Sequence, residues 1–198
     1  YFDFLPFSEG NLGIVIADVS GKGVPASLLM ASLRSAFRGH AYHTYHLDKI
    51  IAEVNEHMCR DTSAGEFATA FYGVLTPDGR RLTYCNAGHD PPMLLRDGQI
   101  QYLETGGMAL GVTLQSKYDR GLVELRSGDV LFLYTDGTVE AMNFNSEAFG
   151  RDRLADSLIR YAQSSPQMIA KNILWDIRRF RGLADRTDDL TMVVVKIK

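Results

Sequence analysis

The chain has 198 residues, 45% of them hydrophobic and 23% charged, with a formal net charge of -3, which suits one domain with a sizeable core. The mild acidity and the lack of any Lys/Arg block exclude the electrostatic footprint of a nucleic-acid binder, and no apolar run reaches the roughly 18–20 residues of a membrane span. Two cysteines, Cys59 and Cys85, are too few for a disulfide framework or a Cys-based zinc site, so a reducing, cytoplasmic setting is expected.

The chain starts at Tyr1, without Met, in sequence that already reads as structured, so a piece of a longer protein is expected. The run Gly13-Ile14-Val15-Ile16-Ala17 reads as a buried strand that stops at Asp18. A turn through Gly21 and Gly23 follows, and Pro25 suits the first turn of a helix. Leu29, Leu33, Ala36 and Phe37 predict a helix over about 26–39, and Leu47, Ile50, Ile51, Val54 and Met58 a second over about 47–59. From Thr69 to Leu125 short apolar runs alternate with Pro77-Asp78-Gly79, Asp97-Gly98 and, just beyond, Ser127-Gly128, the texture of an antiparallel meander. The strand Val130–Tyr134 stops short of Asp136. Two more helices follow, one on Leu154, Leu158 and Tyr161, the other on Ile169, Ile173, Ile177 and Phe180 with Ser165-Pro166 at its start. A strand over 191–197 closes the chain just after Asp188-Asp189. Strand runs and helix pairs segregated in this way predict an α+β layered domain.

Asp18, Asp136 and Asp188-Asp189 thus stand far apart in sequence, each at the rim of a strand. Gathered together, they would repel one another unless a cation offset the charge, and all-oxygen donors favour hard ions such as Mg²⁺ or Mn²⁺. Separately, each Asp could simply start a turn. Ser20-Gly21-Lys22-Gly23 is not a phosphate loop, because that motif needs Gly at Ile16 and Ser or Thr at Gly23. Neither cysteine has the Arg of a thiolate phosphatase, and both read as core. No Gly-x-Ser-x-Gly elbow occurs. His40, His43 and His46 read as a solvated inter-helix loop rather than a metal site. His89, in the turn Asn86-Ala87-Gly88-His89-Asp90-Pro91-Pro92, reads equally as a structural turn residue or as one close to a site.

Five segments in order carry a resemblance: Asp18–Ala26, Phe67–Gly73, Asn86–His89, Leu133–Ala141 and Asp188–Thr191. Together they resemble the metal-dependent Ser/Thr protein phosphatases of type 2C, in the bacterial branch of the stage II sporulation phosphatase and of stress-response phosphatases that act on anti-sigma-factor antagonists. The resemblance implies an antiparallel β-sandwich flanked by helix pairs in four αββα layers, a single phosphatase domain over 1–198, and two Mn²⁺ or Mg²⁺ ions. Asp18 would bridge the ions, Val19 would offer its carbonyl, and Asp136 and Asp188 would complete the ligand set. Gly21, His89, Gly137 and Asp189 would support the ligands or lie near substrate.

The family's Gly-Gly-Asp would end immediately before Tyr1, its Asp helping to hold the second ion, and Asp3 matches another position. The implied reaction is hydrolysis of phosphoserine or phosphothreonine by metal-activated water, on a STAS-domain phosphoprotein. An upstream sensor domain and a possible homodimer would regulate it. Two alternatives are a catalytically inactive interaction module of the same fold and a metal phosphohydrolase acting on nucleotides or small phosphate esters.

Overall fold

The computed structural model describes residues 1–7, 10–41, 46–63, 65–184 and 188–198. The fold is mixed α+β, with two sheets and four helices among the described residues, and the chain divides into two compact units, Tyr1–His89 with Glu104–Leu125, and Asp90–Leu103 with Arg126–Lys198.

The first unit holds a six-stranded sheet ordered β1 (Phe2–Pro6), β2 (Leu12–Val19), β3 (Ala68–Leu75), β4 (Arg81–Ala87) and β7 (Gly106–Gly107), with β8 (Gly121–Glu124) also on β4. All its pairings are antiparallel except the short β4–β7 ladder. Helices α1 (Val24–Ala41) and α2 (Leu47–Asp61) bury Leu29, Leu33 and Phe37, and Ile51, Val54 and Met58, against Val15, Ala17, Ala70, Tyr72 and Cys85 of this sheet. Each such buried Leu or Ile contributes about 1.5–3 kcal/mol relative to exposure. The helices keep the expected 3.6-residue period because this stripe has one apolar surface to cover. Burial pushes the Cys85 thiol up to about 12, so it is a core residue and not a nucleophile.

The second unit holds a four-stranded antiparallel sheet ordered β10 (Met192–Lys196), β9 (Val130–Tyr134), β5 (Met93–Arg96) and β6 (Gln99–Tyr102). Helices α3 (Gly150–Tyr161) and α4 (Pro166–Arg181) lay Leu154, Leu158, Ile169, Ile173 and Ile177 over Met93, Leu95, Val130, Phe132 and Tyr134. Ser165 caps α4, its hydroxyl accepting from the Met168 N–H, as Ser165-Pro166 predicts.

Several expectations need correcting. The stretch from Thr69 to Leu125 is not one meander: the β5–β6 hairpin, turned through Asp97 and Gly98 at positive φ, pairs with β9 in the other sheet. Ser127-Gly128 likewise joins strands of different sheets, because β8 pairs with β4 and β9 with β5 and β10. Alternation marks a strand but not its partner. β1 was not foreseen as a strand. Asp3, on β1, accepts from Arg38 Nε and Nη2 of α1 at 2.7 and 2.8 Å, and that ion pair, aided by the Tyr1 hydroxyl, holds its carboxyl below the usual range. His40 lies in the last turn of α1, 3.0 Å from Glu53 of α2, instead of in a loop. His46 precedes α2 as its N-cap residue, and His43 lies outside the described residues.

Candidate active site

In the first unit, β2 runs two residues past Ala17 because β3 pairs with them, Asp18 opposite Thr69 and Val19 opposite Ala68. Asp18 is therefore the penultimate residue of a strand instead of following one. Alternation puts it on the sheet face away from α1 and α2, since Val15 and Ala17 belong to the core beneath those helices. Asp18 is half-buried. After Val19 the chain is pinned again, the Ser20 N–H donating to the Phe67 carbonyl and the Phe67 N–H to Ser20 Oγ, both at 2.9 Å. Gly21 follows in the left-handed region, φ +88°, in the turn that leads into α1.

His89 joins this neighbourhood through Thr69, the residue opposite Asp18. Thr69 Oγ1 lies 2.9 Å from His89 Nδ1, and His89 is 5% exposed. Its turn is built by Asn86, whose side chain accepts from the His89 N–H at 2.7 Å and donates to the His89 carbonyl at 2.9 Å. Gly88 is required, because at φ +69° a Cβ would meet the Ala109 backbone nitrogen at 2.9 Å. His89 thus both shapes its turn through Asn86 and contacts Thr69, the residue opposite Asp18.

In the second unit, Asp136 opens a single 3₁₀ turn, Asp136–Thr138, directly beyond β9. Asp136 Oδ1 accepts from the Gly137 N–H at 2.7 Å. Thr135 and Thr191 zip the ends of β9 and β10 together, Thr135 N–H to Thr191 carbonyl and Thr191 N–H to Thr135 Oγ1, each at 3.1 Å. Gly137 then passes so near the following loop that a Cβ would stand 2.1 Å from the Asp189 carbonyl oxygen, so only glycine fits. Asp188 Oδ1 accepts from the Asp189 N–H at 2.7 Å, which gives Asp189 a role in holding Asp188 through its backbone.

These contacts set carboxylates near one another. Burial pushes the Asp136 carboxyl up, and the charges of Asp188 and Asp90 push it further, against the Gly137 N–H that pulls it down. Burial, then Asp136, Asp90 and Asp188, raises Glu140 too. Asp90 and Glu140 were not singled out from sequence, although Asp90 lies in the His89 turn motif and Glu140 four residues after Asp136. Asp90 takes a bond from Arg151 Nη2 at 2.6 Å, whereas Asp136 is in no ion pair among the described residues.

Among the described residues no group of three or more His, Cys, Asp or Glu side chains is gathered so as to hold an ion alone. The available donors are all oxygen, and Asp136 is a half-buried carboxylate facing like charges. Both features fit a hard divalent cation, and Mg²⁺ in particular binds through one or two carboxylates while keeping several waters. Asp18, Val19, Gly21 and His89 belong to the first unit, and Asp136, Gly137, Asp188 and Asp189 to the second.

The sequence pattern of the family described as Stage II sporulation protein E (SpoIIE) matches residues 8–198. The chain is 29% identical over 200 residues to the phosphoserine phosphatase RsbU of Bacillus subtilis, covering 100% of this chain and 59% of the relative. Among solved structures, the SiaA-PP2C domain of Pseudomonas aeruginosa superposes with a TM-score of 0.87 at 23% identity, over 100% of this chain and 80% of that one. RsbX in complex with magnesium superposes with a TM-score of 0.70 at 20% identity, over 98% of this chain and 84% of that one. At these identities the two structures speak for the fold alone.

Proposed function

Because the chain belongs to the stage II sporulation protein E family, we propose that it is a metal-dependent protein phosphatase that hydrolyses phosphoserine or phosphothreonine. The observation that carries this reading is the half-buried Asp136, set beside Asp188 by the close passage of Gly137 and raised by burial and by the charges of its acidic neighbours. A purely structural turn gains nothing from that arrangement. The phosphoserine phosphatase RsbU among the relatives supports it.

Asp18, the Val19 carbonyl, Asp136 and Asp188 are the residues that would hold Mn²⁺ or Mg²⁺. When bound, two such ions supply activation of water and neutralisation of charge on the phosphoryl oxygens. The chain's own part is positioning. The N–H groups of Gly137 and Asp189 each fix one carboxylate oxygen, on Asp136 and Asp188 respectively. The Thr69–His89 pair stiffens the strand position facing Asp18. No nucleophilic side chain is required, in keeping with a Cys85 thiol pushed up to about 12 by burial.

The substrate we propose is a STAS-domain phosphoprotein in the cytoplasm. No helix among the described residues is long and apolar enough to cross a membrane. Regulation would come from an upstream sensor domain and a homodimer acting on α1 and α2. Val24 and Leu28, 72% and 67% exposed at the start of α1, offer apolar surface for such a contact close to Asp18. The test is phosphate release from a phosphoserine protein with Mn²⁺ or Mg²⁺: it should vanish with excess EDTA and with Asp136→Asn. Turnover that survives chelation would overturn the reading.

A further inference from the structure

One face of α4 borders a cavity of about 380 Å³ whose wall includes Leu174, Arg178 and Arg181. These residues recur at i, i+4 and i+7, the spacing that aligns side chains along one stripe of a helix. The apolar Leu190 and Met192 also line the cavity, as do Gly137 and Asp188. The cavity therefore reaches the candidate ligand Asp188 and the Gly137 that neighbours Asp136.

Arg178, Arg179 and Arg181 all lie in the last turn of α4, where cations are ordinarily favourable because they face the negative end of the helix dipole. That explanation is sufficient for Arg179. It leaves unexplained why Arg178 and Arg181 line a cavity together with Leu174, Leu190 and Met192. Among the described residues neither is in an ion pair, and the Arg181 Nε–H is buried without an acceptor. A buried guanidinium donor without an acceptor is costly, and an incoming oxyanion is the group that relieves it.

We propose that this cavity is a substrate subsite that takes an acidic residue of the phosphoprotein flanking its phosphorylated serine or threonine. The carboxylate would meet Arg178 and Arg181, and an apolar neighbour in the same segment would lie on Leu174, Leu190 and Met192. Charge complementarity commits the site to this occupant. Arg178 and Arg181 are two guanidiniums in one cavity wall, complementary to a carboxylate and not to a cationic or neutral side chain. The phosphoryl group itself would go toward Asp136 and Asp188, the side where Mn²⁺ or Mg²⁺ would be held. This inference rests on the phosphatase reading, since Gly137 and Asp188 are common to both.

The experiment compares fluorescent phosphoserine peptides that carry Glu and Leu beside the phosphoserine with twins carrying Gln in place of Glu. Binding to the full chain is followed by anisotropy, and hydrolysis of p-nitrophenyl phosphate by the wild type with Mn²⁺ is measured separately. The acidic peptide should bind about tenfold more tightly than its twin, the scale of one charge-assisted pair. Arg178→Gln/Arg181→Gln should remove that preference, appearing in KM and not in kcat. Arg178→Glu/Arg181→Glu should reverse it in favour of a Lys-bearing peptide, which a merely structural role for the arginines would not do. Equal binding of the two peptides, or a preference that survives both double variants, would overturn the subsite. Absence of p-nitrophenyl phosphate hydrolysis would instead count against the phosphatase reading, while the binding comparison still decides the subsite.

Discussion

Replacing Gly137 by alanine probes whether the backbone contact between the Asp136 turn and the Asp188-Asp189 loop sets the carboxylates. The added Cβ would fall 2.1 Å from the Asp189 carbonyl oxygen and 3.6 Å from Asp188 Cβ. A backbone oxygen cannot swing aside as a long side chain can, so one segment must retreat by roughly 1 Å, a displacement that can cost about 100-fold in rate when it occurs at a reacting centre. Overpacking of this kind costs about 1–3 kcal/mol, and 2 kcal/mol corresponds to a fall in melting temperature of about 4–8 °C for a chain of this size. Gly137→Ala should therefore lower the melting temperature modestly, weaken Mn²⁺ binding in calorimetric titration, and reduce phosphate release by about two orders of magnitude. Gly98→Ala is the control. It places a side chain at φ +77° with nothing within 4 Å, so it should cost about 1–2 kcal/mol of backbone strain without changing Mn²⁺ affinity. If Gly137→Ala bound Mn²⁺ as tightly as the wild type and kept its turnover, the contact would not be what holds Asp136 against Asp188.

Other expectations follow from the same geometry. Tyr1 and Ala17 exchange both backbone hydrogen bonds, at 2.8 and 2.9 Å, and the β1–β2 register continues from Phe2 opposite Ile16. The position ahead of Tyr1 therefore falls opposite Asp18, and Gly-Gly-Asp placed there should tighten Mn²⁺ binding relative to Gly-Gly-Asn by at least about tenfold; equal calorimetric affinities would refute the ligand role of that Asp. Asn86→Ala removes both side-chain bonds that shape the His89 turn, so a loss of about 2–3 kcal/mol by urea unfolding is expected, together with reduced turnover. For Asp129, 3% exposed, burial raises the carboxyl, but the bidentate Arg96 pair and the Arg126 N–H outweigh burial and hold it below the usual range. Its stabilisation is thus complete above the ordinary carboxylate range and is lost as pH falls through the lower folded-state value. Asp129→Asn should flatten that acid limb in urea midpoints taken between about pH 3 and 6, while Arg96→Ala, which strands the buried carboxylate, should cost about 3–5 kcal/mol.

Local elements and the chemistry they carry are legible in the sequence. All four helices were legible because an apolar stripe at helical spacing, with Ser165-Pro166 to start α4, is a local signal. The Asp97-Gly98 hairpin was equally plain, since a tight turn needs residues that tolerate positive φ. Asp18, Asp136 and Asp188 could be picked out because acids at the rims of apolar strands are costly without a reason, and Gly137 stood in the same motif. Tertiary structure alone decided which strands pair. Alternation does not encode a partner, so β5 and β6 could leave the first sheet for β9, β7 could run parallel to β4, and β2 could extend through Asp18. It also decided that a glycine beside Asp136 is required by the Asp189 carbonyl, that His89 meets Thr69, the residue facing Asp18, that Asp90 is held by Arg151, and that Arg178 and Arg181 line a cavity shared with Asp188. Each of these joins residues distant in sequence, and such contacts exist only once the non-local register has closed.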